Sequence, residues 1–204
     1  MTLRGRLIAW FPVFHLTMIA GNAITFVVWP KIVNLLTIPL AIYLLPLLAF
    51  HLHAWLAPVE EGSTSLVEGY SPWYGGHMIQ QVFIAFPFIE GPLLLIPGVF
   101  AWWLRAWGSK IGKGVYFAPH FELADRGLLE VGDGAIFGYG VKISGHIITP
   151  SPKYGGIRLM VQRVRIGAGA FVGAGCRMGP GVVIEPKAVV RAATDLYPGK
   201  TVKA

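Results

Sequence analysis

The chain has 204 residues, 54% of them hydrophobic and only 13% charged, with a formal net charge of +7. A soluble domain usually carries about a quarter charged residues, so the composition excludes a disordered chain and an ordinary soluble enzyme. The lone cysteine, Cys176, excludes an internal disulfide and a cysteine metal cluster, and its turn position makes it incidental.

Charge divides the chain near residue 105. Up to Leu104 there are three cations and four anions, net −1; from Arg105 onward there are fourteen and six, net +8. Glycine shifts with it, from 8 residues to 18. We therefore expect a two-helix transmembrane hairpin over 1–60, a loop and interfacial or re-entrant segment over 61–107, and a repeat domain over 108–204.

Leu7 to Trp29 and Ile32 to Ala57 are uncharged stretches of 23 and 26 residues, each beyond the roughly 20 needed to cross a bilayer core. Only Pro30-Lys31 separates them, which predicts an antiparallel pair. A second span following at once argues against a cleaved signal peptide. His51 and His53 fall near the end of the second span and read as interfacial side chains. Glu60 to Gly76 reads as a connecting loop.

Met78 to Leu104 is divided by Glu90 into pieces too short to span, with Pro87, Pro92 and Pro97 around the break. A mid-bilayer carboxylate is costly. This predicts a broken, half-inserted element with Trp102, Trp103 and Trp107 at headgroup level. Two spans put both termini on one side, and Arg4, Arg6, Arg105, Lys110 and Lys113 mark that side as cytoplasmic, in the cytoplasmic membrane.

From Ile166 an apolar anchor recurs every six positions: Ile166, Val172, Met178, Ile184, Val190, Leu196, Val202. The same frame holds at Val131, Phe137 and Ile143, and a shifted one at Ile111 and Phe117. Period six is not the alternation of hairpins. It predicts a solenoid in which each unit gives one short strand and a turn, and stacked coils bury columns of anchors. Gly167-Ala-Gly-Ala-Phe-Val-Gly belongs to this period and has no following helix, which excludes a dinucleotide fingerprint. The cations are scattered singly, without a nucleic-acid-binding motif, so no nucleic-acid partner is expected.

This pattern, over about residues 108–202, resembles the hexapeptide-repeat acyltransferase superfamily, which implies an all-β left-handed parallel β-helix with three hexapeptides per coil. Trp103-Leu-Arg-Ala-Trp-Gly-Ser-Lys-Ile-Gly after membrane helices is similar to membrane-attached members, such as the C-terminal modules of polylysine-synthetase-type proteins. The resemblance implies a homotrimer of about five coils per chain, with acetyl-CoA or another acyl-CoA as donor. The acceptor would be a small molecule or a lipid-linked compound at the membrane, carrying a hydroxyl or an amine. The same β-helix also carries γ-class carbonic anhydrases, which need three histidine ligands. Only His120 and His146 lie in the repeat, so no metal is expected. A non-catalytic membrane scaffold using the β-helix as an interaction surface is the alternative from another class.

The repeat is interrupted between Ile143 and Met160, where Thr149 to Leu159 reads as a surface loop rather than strand. His146 stands just before it. In soluble sugar acetyltransferases of the superfamily the catalytic histidine occupies a similar place, so the resemblance implies that His146 is the general base. Backbone N–H groups around Gly173, Ala174 and Gly175 would stabilise an oxyanion on the next coil. His120, Glu122 and Asp125 form the other polar cluster, on the acceptor side; one coil below His146, Asp125 or Glu122 would orient the acceptor or the imidazole, or the cluster is a solvated corner of the helix. Lys187, Arg191 and Lys200 are candidates for the coenzyme phosphates. The chain ends its last coil in Leu196-Tyr-Pro-Gly-Lys200, where the soluble enzymes have a Gly-x-Pro-Ala-type segment.

Overall fold

The computed structural model describes residues 2–204. The chain forms two compact units, one of residues 1–59 and 68–82, the other of 60–67 and 83–204.

The first unit is helical: α1 (Leu3–Ile8), α2 (Phe11–Val28), α3 (Ile32–Pro39), α4 (Leu45–Leu56) and most of α5 (Pro72–Ala85). A π-helical turn, Leu40–Leu44, joins α3 to α4. Leu3–Val28 and Ile32–Leu56 are long and apolar enough to cross a membrane, with mean hydropathy 1.6 and 2.2. Pro46 has no N–H to offer the carbonyl four residues back. There His15, fully buried, places Nε2 3.0 Å from Ala41 O and 3.2 Å from Ile42 O. Two carbonyls can only accept, so Nε2–H donates and ties the helices of the hairpin together. His53, expected at an interface, is buried, with Nε2 2.7 Å from Tyr70 Oη.

The second unit is a three-sided parallel β-helix. Its first coil comprises β2 (Lys110–Ile111), β3 (Tyr116–Phe117) and β4 (Glu122–Leu123); its second β5 (Leu129–Val131), β6 (Ile136–Phe137) and β7 (Lys142–Ile143). The third comprises β10 (Val164–Ile166), β11 (Phe171–Val172) and β12 (Arg177–Met178); the fourth β13 (Val183–Ile184), β14 (Val189–Val190) and β15 (Asp195–Leu196). β16 (Thr201–Val202) opens a fifth. The faces are β2-β5-β10-β13-β16, β3-β6-β11-β14 and β4-β7-β12-β15, each parallel and in register. The stacking fits the left-handed β-helix that the repeat implies. Anchors form the buried columns, as in Leu123, Ile143, Met178 and Leu196, while the residue before each anchor points out. There are four full coils and one further strand, a little short of the five expected.

The insertion is not a loop. It is an antiparallel hairpin of β8 (His146–Ser151) and β9 (Gly156–Val161), closed by a 3-10 turn at Pro152–Tyr154. β1 (Gly62–Ser65), from the stretch expected to be a loop, pairs with β9 along its whole length. Backbone pairing, not side-chain alternation, makes these strands, and so the sequence pattern hides them. Residues 66–71 carry no helix or strand, whereas 72–76, also expected as loop, open α5 at Pro72.

The broken segment is real, but its tryptophans sit elsewhere than expected. After α5 come a 3-10 turn (Pro87–Glu90), α6 (Gly91–Leu94) and α7 (Val99–Ala106). Trp103 and Trp107 are buried within the second unit, packed edge-on against Phe83 and each other, and only Trp102 is exposed. Glu90 likewise faces protein partners, whose hydrogen bonds offset the cost of withdrawing it from water.

Candidate active site

The second unit has three corners, and the one between the β4-β7-β12-β15 face and the next coil departs from the repeat. Six residues separate anchors around Met178 and Leu196, but eight separate Leu123 from Val131. The two extra residues form a bulge at Asp125-Arg126, closed by Leu128 N–H donating to Asp125 O at 3.0 Å. Both bulge side chains are buried, Asp125 at 3% exposure and Arg126 at 1%.

Asp125 meets the coil above. Its Oδ2 lies 2.7 Å from His146 Nδ1 and accepts the Gly145 N–H at 2.9 Å. A Cβ on Gly145 would stand 2.8 Å from Leu128 Cβ and 3.4 Å from Asp125 Cβ, so glycine is what lets the two corners close on each other. Ser144 Oγ, 3.2 Å from His146 Nδ1, donates to His146 O at 2.8 Å and accepts from His146 N–H at 3.3 Å. These bonds set the ring's direction. With Nδ1–H donating to a carboxylate, the neutral imidazole carries its lone pair on Nε2.

Arg126 is held by Glu90: Nε donates to Oε1 at 2.8 Å and Nη2 to Oε2 at 2.5 Å. Trp103 Nε1 donates to the same Oε1 at 2.6 Å, and Ser109 Oγ donates to Arg126 O. The guanidinium lies over the Phe83 ring, 5.2 Å from its centre. Neither Glu90 nor Arg126 stands out as a site residue in the sequence. The two-residue frame shift between Phe117 and Val131 is the available signal.

His146, Arg126 and Glu90 line a cavity of about 420 Å³ in the second unit, within the range of small-molecule sites. Phe83, Ile84, Pro87, Ile147, Pro180 and Tyr197 supply its apolar walls. Across the face runs one cross-strand row of outward residues, Glu122, Lys142, Arg177 and Asp195. Lys142 pairs with Glu122 at 2.9 Å, and Arg177 clasps Asp195 at 2.7 and 2.6 Å. That clasp holds the Asp195 carboxyl below its ordinary value and pushes the Arg177 guanidinium up.

The other sequence candidates scatter. Glu122 reaches Lys142, not the imidazole. His120 sits at a neighbouring corner with left-handed backbone, φ 59°, its ring 4.9 Å from that of Tyr139. Gly173, Ala174 and Gly175 share the His120 corner and do not line the cavity. The N–H groups of Gly173 and Gly175 already donate to Val190 O and Tyr139 O in the inter-coil ladder, leaving them no role at an oxyanion. Lys187, Arg191 and Lys200 occupy three different corners, because the six-residue period turns the chain one face per unit. Only Lys200 shares the corner of His146, and none of the three lines the cavity.

No family model and no curated protein matches the chain. Among solved structures, it is similar to a maltose O-acetyltransferase from Clostridium difficile 630, with 16% identity, 61% of this chain and 84% of that one covered, and a TM-score of 0.37. It is also similar to a galactoside acetyltransferase in complex with coenzyme A, at 12% identity over 57% and 75% of the two chains, TM-score 0.36. A hexapeptide-repeat-containing acetyltransferase from Vibrio cholerae O1 biovar eltor, complexed with acetyl coenzyme A, shows 12% identity over 61% and 83%, TM-score 0.36.

Proposed function

We propose that this chain is a membrane-anchored, acyl-CoA-dependent acyltransferase in which His146, oriented by Asp125, is the general base. The observation that carries the reading is the 2.7 Å contact between these two side chains, on adjacent coils of a hexapeptide β-helix, at a small-molecule-sized cavity. An imidazole backed by a carboxylate removes a proton at neutral pH and tolerates the imidazolium that results. In the reaction, an acceptor hydroxyl or amine gives its proton to Nε2 as its lone pair attacks the thioester carbonyl. The tetrahedral intermediate then expels the coenzyme thiolate, which takes the proton from the imidazolium. The β-helix is left-handed in this reading.

In this reading the two apolar helices anchor the protein, and the cations flanking them support a cytoplasmic side for both termini and the β-helix, where acyl-CoA is found. Self-association as a homotrimer has support in the β3-β6-β11-β14 face. Its outward row, Tyr116, Ile136, Phe171 and Val189, is apolar and exposed, whereas the cavity-bearing face presents charges. Exposed contiguous apolar surface of this kind marks contact sites.

The test is thiol release from acetyl-CoA by the protein in lipid nanodiscs, with calorimetric titration of acetyl-CoA beside it. Acyl-CoA binding with acceptor-dependent thiol release is expected. Folded protein that binds no acyl-CoA overturns the enzyme reading in favour of a scaffold. The mass of the detergent-corrected particle checks the trimer, and a monomer removes it.

A further inference from the structure

We infer that the acceptor at His146 is an uncharged amphiphile, with its hydrocarbon part lying in the cavity. The inference rests on the acyltransferase reading, because a general base touches the acceptor and the cavity it lines is then the acceptor's.

The walls point to hydrocarbon. Phe83, Ile84, Pro87 and Ile147 approach from the helical segment and the hairpin, Pro180 and Tyr197 from the upper coils. In that set only Tyr197, through its phenol, can hydrogen-bond to a sugar ring; the other five offer hydrocarbon alone. Along the face the cavity extends from Leu123 on the first coil to Leu196 on the fourth. Three inter-strand steps of about 4.8 Å make that roughly 14 Å, the reach of a medium-length chain.

The charges point to a neutral group. The charged residues that line the cavity are mutually matched: Arg126 with Glu90, Lys142 with Glu122, Arg177 with Asp195. The chain as a whole carries +7, yet this wall cancels to zero apart from the His146–Asp125 pair. A carboxylate or phosphate on the acceptor would meet cations that already have carboxylate partners, and at the buried Arg126 it would strand Glu90 away from water. Neutral amphiphiles concentrate in bilayers, and the same chain carries two helices long and apolar enough to cross one.

The test uses nanodisc-embedded protein, acetyl-CoA and a soluble series of n-alkyl glucosides from methyl to hexyl, well below micelle-forming concentrations. Transfer is read as kcat/KM, and binding separately by saturation-transfer NMR without acetyl-CoA. Each methylene fully enclosed adds about fourfold, so hexyl should exceed methyl by at least about tenfold. Ile84→Ser, on the helical wall, and Ile147→Ser, on the hairpin, should each flatten that dependence; two walls guard against one variant misfolding. As competitors, 1-hexanol should outperform hexyl phosphate. Transfer that is indifferent to chain length overturns the inference and leaves the acyltransferase reading standing. Chain-dependent binding that the wall variants abolish, with no transfer to any glucoside, removes the acyltransferase reading and, with it, the assignment of the bound amphiphile as an acceptor. Stronger competition by hexyl phosphate overturns the uncharged part.

Discussion

Glu90 and Arg126 lie thirty-six residues apart and meet as a two-pronged ion pair with both side chains withdrawn from solvent. Removing one partner of such a pair leaves a bare buried charge, which costs about 3–5 kcal/mol. Glu90→Ala is therefore expected to lower the midpoint of thermal unfolding sharply. The double change Glu90→Leu with Arg126→Met should recover most of the loss, and circular dichroism melting in a fixed detergent reads both. A double variant no better than the single one would mean that the pair does more than neutralise itself.

His146→Ala should retain fold and acyl-CoA binding while turnover falls by roughly 10²–10⁴, the usual worth of a positioned general base. Its side chain retains some exposure and is no core anchor, so truncation opens no large cavity. Asp125→Asn should cost about 10²-fold or more, because an amide can present a donor to Nδ1 and turn the ring to the wrong tautomer. His120→Ala, at another corner, should turn over normally. Thiol release at saturating acetyl-CoA compares the three.

The six-residue period makes the columns of anchors legible in the sequence, and the frame slip ahead of Val131 is visible in it. What the slip does is not. An eight-residue gap reads as an irregularity until Asp125 is seen reaching the next coil through the space that Gly145 leaves open. Glu90 misleads for a physical reason. Judged against lipid its desolvation is costly, whereas Trp103, thirteen residues on, and Arg126, thirty-six on, answer it. The phosphate candidates Lys187, Arg191 and Lys200 share only a positive charge, and the turn of one face per six residues separates them.

Gly132 and Gly134 should respond to alanine for different reasons. A Cβ at Gly132 would come within 2.5 Å of Ala168 N and 2.7 Å of Ala168 Cα on the coil above, so the two coils must part. Gly134 has open space but φ 66°, a left-handed backbone that costs an L-residue about 1–2 kcal/mol. Gly132→Ala should therefore be the more destabilising in thermal unfolding. The reverse order would show that the coils yield more easily than the backbone.

Glu130 titrates below the ordinary carboxylate value, chiefly because Lys110 donates to it, with Arg163 and Arg165 adding attraction. A depressed acid stabilises the fold above its unfolded pKa, and that stabilisation is lost as pH falls through the folded value. Lys110→Met should raise the Glu130 midpoint, followed by carboxyl-carbon NMR, and should lessen the loss of stability on acidification. The two arginines should keep part of the depression. An unmoved midpoint would assign the effect to them alone.

β1 finds its partner on β9 about ninety-five residues later, as the contact of Ser63 with Arg158 measures. The β8–β9 hairpin is local, and the pairings of the β-helix itself join each strand to the next coil of the stack. During synthesis at roughly 5–20 residues per second, that early strand must wait several seconds for the ribosome to deliver its mate. A waiting strand with apolar side chains would invite pairing with a neighbouring nascent chain. Its four residues are Gly-Ser-Thr-Ser, without one large apolar group. The strand is thus harmless while unpartnered, and the arm beside His146 closes only after the coils that hold Asp125 are already on their way.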